Sequence, residues 1–203
     1  TDPTGKPLGT DFLSFWAAST LALSGDAPGV YDIGTHYAAQ RATFPANYPG
    51  YAAFFYPPVF LLICLPLAPL PYFASLAVWL GATGYAYWRV MRALVGDLPG
   101  LWLAFFAFPA IIINIGHGQN GFLTAALFGA AVLTAEKRPI WSGILCGCLI
   151  FKPHLGILIP IALIARGAWR TFFAAAAASV SLLVLSLAIF GIETWRGFLA
   201  ISP

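Results

Sequence analysis

The sequence predicts an all-α, polytopic membrane protein: a helix bundle with short broken or re-entrant helices and an outer loop carrying interfacial helices. Three observations predict it. Of 203 residues, 60% are hydrophobic and only 8% charged, whereas soluble domains carry about 25% charged residues. Mean hydropathy is +0.84. Polar residues gather in 1–56, while 57–203 reads as successive apolar stretches separated by short polar breaks. The chain therefore divides into an outer loop, 1–56, and a transmembrane bundle, 57–203. Ten Lys/Arg and seven Asp/Glu cannot clothe a water-facing surface, and no basic run suits nucleic acid.

In chain order, DFLSFWAASTLALSG (11–25) carries Phe12, Phe15, Trp16 and Leu23 at helical spacing, with Thr10 or Asp11 to cap it and Gly25 to end it. It is too short and too mixed to span, so it is expected to lie amphipathically in the interface. A second short helix is expected near 34–43, before the turn-rich FPANYPGY. PPVFLLICLPLAP (57–69) is apolar but proline-rich and about 20 Å long as a helix. Residues 70–96 are long enough to cross. Segments 98–115 and 121–135 flank the break GHGQNG, and 139–151 and 155–165 flank a second, FKPHLG. Residues 168–190 make a span whose bulk, TFFAAAAASVSLLVLSLAIF, is uncharged. The amino end lacks both an initiator Met and a leader layout, and the carboxyl end stops in mid-pattern. The sequence is therefore expected to be a section of a longer protein, truncated at both ends.

The charges alternate. Arg89 and Arg92, then Lys137 and Arg138, then Arg166 and Arg170 fall in three loops. Between them come Asp11, Asp26 and Asp32, then GHGQNG, then KPH, then Glu193. The positive-inside rule makes the basic side cytoplasmic and gathers the polar motifs on the outer side. That layout requires 57–69 to be interfacial or re-entrant. Cys146 and Cys148 point about 200° apart on a helix and share no ligand site; with Cys64 they read as small core- or lipid-facing residues.

Ionisable groups at membrane depth are costly and mark function. Lys152 has no Asp, Glu, Lys or Arg within thirteen residues on either side. It reads either as a lysine snorkelling to the headgroups or as a cation held for an anionic ligand or a buried carboxylate, with His154 beside it. In GHGQNG a plain turn needs only the glycines and Asn120. His117 and Gln119 add donors, and a helix starting near Asn120 would point its positive end at the same place. An amide, an imidazole, an ammonium and a helix end together suit phosphate. Asp11 is either a helix cap or a carboxylate placed to take a proton from an attacking hydroxyl. Asp26 and Asp32 suit turns; His36, Tyr37 and Arg41 share the expected short helix and could touch headgroups, though a plain structural role suits them better.

Taken in order, GTDFLSFWAASTLALSGDAPGVYD (9–32), YPPVFLLICLPLAPLPY (56–72), GHGQNGFLTAALFGAAVL (116–133) and RPIWSGILCGCLIFKPHLGILIPIALIARGAWR (138–170) resemble the family 87 glycosyltransferases. That family includes bacterial mannosyltransferases dependent on polyprenyl-phosphomannose, and the resemblance extends over nearly the whole chain. It implies the GT-C architecture, in which a first outer loop holds an acidic residue. It also implies transfer of a hexose, mannose-like, from a polyprenyl-phosphate sugar donor to an acceptor hydroxyl on a lipid or glycan. The transfer would invert the anomeric centre and need no metal or other cofactor. The site would face the periplasm from the inner membrane of a bacterium, among membrane lipids. The loop carboxylate aligns with Asp11, the glutamine break with Gly118 to Asn120, and the lysine break with Lys152 and Pro153. Many GT-C relatives carry an acidic pair where this chain has Gly9-Thr10-Asp11, which leaves Asp11 alone. Asp11 is thus the candidate base, and His117, Gln119, Asn120, Lys152 and His154 the candidate donor-binding groups. Trp16, Tyr31 and Tyr51 are aromatics that could stack on sugar. The rival readings are a secondary transporter built on broken helices and a non-catalytic membrane assembly protein.

Overall fold

A computed structural model describes residues 8–43 and 50–201. It is all-helical, without strands among the described residues. The helices are α1 (Thr10–Leu23), α2 (Ile33–Thr43), α3 (Val59–Cys64), α4 (Tyr72–Val95), α5 (Leu101–Ala107), α6 (Pro109–His117), α7 (Gly121–Thr134), α8 (Pro139–Gly147), α9 (Pro153–Ala165) and α10 (Trp169–Ile201). Single 3-10 turns occupy Pro28–Tyr31, Leu65–Leu67 and Cys148–Phe151. Most of FPANYPGY, residues 44–49, lies outside the described residues.

Where sequence periodicity suggests a helix lying on a surface, α1 is the centre of the fold. Phe12, Leu13, Ser14, Phe15, Ala17, Ala18 and Ser19 are all buried, which is more than one face of a helix. The small residues explain this, because Ser and Ala let neighbouring helices close in where a polar stripe would have been read. Neither Thr10 nor Asp11 caps α1. The cap is Gly9, in the left-handed region at φ 76° and without a side-chain cap bond, and the helix stops at Leu23 before Ser24. Around α1 gathers an aromatic core in which Phe15 meets Phe60 at 5.0 Å and Phe60 stacks on Phe151 at 5.1 Å. Buried aromatic donors find backbone partners: Trp79 Nε1 donates to Gly118 O at 3.0 Å and Tyr31 Oη to Tyr56 O at 2.8 Å.

The rest of the chain runs back and forth between two ends. Near the first end, Trp79 of α4 touches Gly118, and Gly84 faces Phe122 of α7. Further along, Val90 and Leu94 pack against Gly129, so α4 and α7 run the same way. Between them α5 and α6 return the chain. The expected single segment 98–115 is broken there, because Pro109 holds Phe108 extended at ψ 119°. The far end collects the basic residues. Arg166 pairs with Glu136 at 3.5 Å, Arg92 pairs with Asp97, and Arg138 and Arg170 line one surface groove.

Helix α8 packs on α10 through Gly143 and Gly147. A Cβ at Gly143 would lie 2.4 Å from Thr171 O and 2.6 Å from Ala174 Cβ, and one at Gly147 2.6 Å from Ala175 O. This is the small-xxx-small contact by which helices associate without a hydrophobic drive. Helix α10 is long and apolar enough to cross a membrane by itself, with only 6% of its apolar window buried, unlike the core helix of a soluble protein. It breaks at Gly191 (φ 78°), immediately past the expected 168–190 span. The expected set of several full spans is otherwise not met by length. Helices α3 and α4, with the turn 65–67, pass only as a pair bent by 118°, and α7, 139–151 and α9 are short apolar helices. Their outward faces are nonetheless apolar, with Trp102, Ile112, Trp141, Ile157 and Phe173 among the exposed side chains, a surface suited to membrane association.

Candidate functional site

The break at 116–119 exists because α1 docks into it. Gly9 N–H donates to Gly116 O at 3.0 Å, and Tyr72 Oη caps Leu8 O at 2.6 Å. Gly118 closes α6 in the left-handed region at φ 65°, where a Cβ would lie 2.5 Å from Phe12 Cβ. Only glycine fits there, on both counts. The next residue, Gln119, then turns inward, and its Nε2 donates to Asp11 Oδ2 at 2.5 Å.

Asp11 and Gln119 form one side of a cavity of about 660 Å³. Lys152, Pro153 and His154 of the second break form another, with Phe15, Tyr56 and Phe151 of the aromatic core also in the lining. Residues 151–152 turn out of the 3-10 segment and Pro153 starts α9, so the lysine sits at the gap between two helices. Asp11 and Lys152 line the same hollow without pairing; among the described residues the Lys152 ammonium has no ion-pair partner. The cavity thus presents a carboxylate fixed by an amide and, separately, an unneutralised cation with an imidazole two residues on.

Four of the six sequence-derived candidates line this cavity: Asp11, Gln119, Lys152 and His154. The other two do not line it. His117 is exposed, with Nδ1 2.8 Å from Thr10 Oγ1. Asn120 is 1% exposed, and its backbone N–H at the start of α7 is taken by Gln119 Oε1 at 3.2 Å. Of the three aromatics expected to meet sugar, Tyr51 lines the cavity. Tyr31 is buried and bonded to Tyr56 O, and Trp16 Nε1 donates to Leu70 O at 3.1 Å.

The lining also holds a residue that sequence reasoning did not select. Ser14 lines the cavity, and its position three residues beyond Asp11 puts it on the same helix face; that spacing was the available signal. Its carbonyl accepts from His36 Nε2 at 3.1 Å. His36, which the sequence suggested for headgroup contact, is 0% exposed, and burial pushes its pKa down from 6.5 to about 4. Gln40, also buried, grips residue 52 by both edges, Nε2 to Ala52 O at 2.7 Å and Ala52 N to Oε1 at 3.2 Å. Burial holds the Tyr51 hydroxyl above its usual range, so it stays protonated. Asp26 and Asp32 serve turns: Gly29 N donates to Asp26 Oδ1 at 3.1 Å, and Thr35 N and Oγ1 to Asp32 Oδ1 at 2.8 and 2.7 Å. Those hydrogen bonds lower the pKa of Asp32.

A model of glycosyltransferase family 87 matches residues 54–203. The match takes in Gln119, Lys152 and His154 and begins beyond Asp11, so it is shorter than the nearly chain-long resemblance read from the motifs. No curated protein and no solved structure matches the chain.

Proposed function

The chain belongs to glycosyltransferase family 87, and from that premise we propose that the cavity transfers a hexose, mannose-like, from a polyprenyl-phosphate donor to an acceptor hydroxyl, with inversion and without a metal. The observation that carries this reading is one cavity lined by both a fixed carboxylate and an ammonium that pairs with no acid among the described residues. The acceptor oxygen forms a bond to the anomeric carbon as the bond from that carbon to the phosphate oxygen breaks. The electron pair leaves with the phosphate, and the acceptor's proton goes to Asp11.

Each group has work suited to its chemistry. Gln119 holds Asp11 by one carboxylate oxygen, which leaves the other for the acceptor hydroxyl. In this reading Lys152 and His154 meet the negative charge that grows on the departing phosphate and offset it. Phe15, Tyr56 and Phe151 make the floor apolar and rigid. The apolar outward faces would let an isoprenoid tail remain in the bilayer while its headgroup enters the cavity. In this reading the bundle is of GT-C type, the chain is a multi-pass protein of the bacterial inner membrane, and the cavity opens to the periplasm. The acceptor is a lipid or glycan hydroxyl.

Asp11→Asn keeps the shape and the Gln119 contact but cannot take a proton. Sugar transfer from polyprenyl-phosphate hexose in membranes carrying the full-length protein is expected to fall by about 10²–10⁴-fold while donor binding persists. Lys152→Ala is expected to weaken donor binding as well. A normal rate in Asp11→Asn removes the base assignment, and counter-flow uptake without any transfer product supports the transporter instead.

A further inference from the structure

The buried pair His36 and Gln40 does no work in the reaction as derived, yet it is built into the cavity wall. Its hydrogen bonds fix one tautomer. His36 Nε2 lies 3.1 Å from a carbonyl, Ser14 O, which can only accept, so Nε2 carries the proton. Nδ1 is then an acceptor. Two groups converge on it, Tyr51 Oη at 3.2 Å and Gln40 Nε2 at 3.3 Å, and both have hydrogens to donate. Gln40 Nε2 lies nearly as close to His36 Nε2, at 3.5 Å, so it is out of line with the one lone pair on Nδ1, and it donates to Ala52 O at 2.7 Å. That lone pair takes the single hydroxyl hydrogen of Tyr51. What Tyr51, a cavity residue, retains for a ligand is an oxygen that can only accept.

Across the same wall stands Ser14. It is 1% exposed, it lines the cavity, and its Oγ has no hydrogen-bond partner among the described residues. A buried serine oxygen left unpartnered costs free energy that a bound polar group would recover. Asp11, one turn earlier on α1, also only accepts when ionised. Tyr51 and Asp11 thus offer acceptors and Ser14 a hydroxyl free to donate or accept, while Lys152 brings only donors elsewhere in the lining.

We propose that Tyr51 and Ser14 form a subsite that reads a hydroxyl group of the transferred sugar, with His36 as the positioning residue that turns the Tyr51 hydroxyl into an obligate acceptor. The subsite rests on the reading of the cavity as a sugar-transfer site and adds the polarity of binding: sugar hydroxyls against Tyr51 and Ser14, phosphate against Lys152. A site built to hydrogen-bond a hydroxyl rejects analogues that lack it far more strongly than an apolar wall would. Gln40 contributes by clamping the backbone at Ala52, so that the residue next to it keeps its place.

The test uses full-length protein in detergent, with methyl mannoside, methyl glucoside and their monodeoxy forms as probes read by saturation-transfer NMR. Wild-type protein is expected to bind at least one parent glycoside about tenfold better than one of its monodeoxy forms. Tyr51→Phe, which keeps the ring, is expected to erase that preference with little change in melting temperature, and Ser14→Ala to reduce it. In the transfer assay Tyr51→Phe should raise KM for polyprenyl-phosphate hexose about tenfold with kcat within about threefold. His36→Phe should copy it and His36→Gln should restore part of the loss. Equal binding of parent and monodeoxy probes by wild-type protein, or a preference unchanged in Tyr51→Phe, overturns the subsite. Selective glycoside binding without any transfer from the lipid donor would instead sink the transferase reading and leave the subsite standing.

Discussion

At the scale of single residues, His36 has the most marked environment. Its ring is sealed inside the 1–56 region, and its pKa of about 4 lies well below the ordinary 6.5. A folded-state value below the unfolded one means that the unfolded chain takes up the proton first as pH falls. Stability should therefore hold above about pH 6.5 and decline between there and pH 4, by an amount of order 3 kcal/mol. Thermal melts of the full-length protein from pH 7 to pH 4 measure this directly. His36→Gln, which has no such titration, should flatten the slope; an equally steep slope in the variant would locate the acid sensitivity elsewhere. Nothing in the local pattern IGTHYAAQR announces this role. Gln40, four residues on, lies against its ring, but Ser14 and Tyr51, which set its tautomer, are twenty-two and fifteen residues away. Asp32, by contrast, was legible as a turn residue because its partner is only three residues on.

At the scale of elements, the α8–α10 seam makes the clearest demand. Gly143 and Gly147 let α8 approach until its backbone touches Thr171 O and Ala175 O. Gly143→Leu should force the two helices apart and cost about 1–3 kcal/mol or more, seen as a fall in melting temperature with loss of sugar transfer, because α8 leads directly into Lys152. Ile161→Leu, on the exposed face of α9, is the matched control and should melt like the parent protein. Helix ends bounded by glycine and proline were readable in the sequence, including the breaks at 116–119 and 152–153. The burial of α1 was not. Its Ser and Ala residues look like a polar or neutral stripe in periodicity, yet in close helix packing they are the residues that permit contact. The bend at Phe108 was available from Pro109 and follows from the restriction proline places on its predecessor.

For the whole molecule, the sequence signalled two opposed ends, and the helix directions now give that division a geometry. The polar breaks at 116–119 and 152–154 lie at one end, and Arg138, Arg166 and Arg170 at the other. Single cysteines at His154 and Arg138, in a background with Cys64, Cys146 and Cys148 replaced by serine, should be labelled from opposite sides of the membrane by an impermeant maleimide. Labelling of both from one side would mean that the two ends do not face different compartments. The number of full crossings was less legible, since apolar content alone does not reveal where short helices pair or bend. Only α10 meets the length and apolarity needed without a bent partner among the described residues.

The hydrogen bond from Gln119 to Asp11 joins positions 108 apart in the chain. While the ribosome is still making residues before 119, the acid has been synthesised but nothing exists to aim it. The proposed base is therefore aimed late in biogenesis, only when α1 comes home against a loop made long after it. A nascent chain stalled earlier would carry the carboxylate without the amide that holds it.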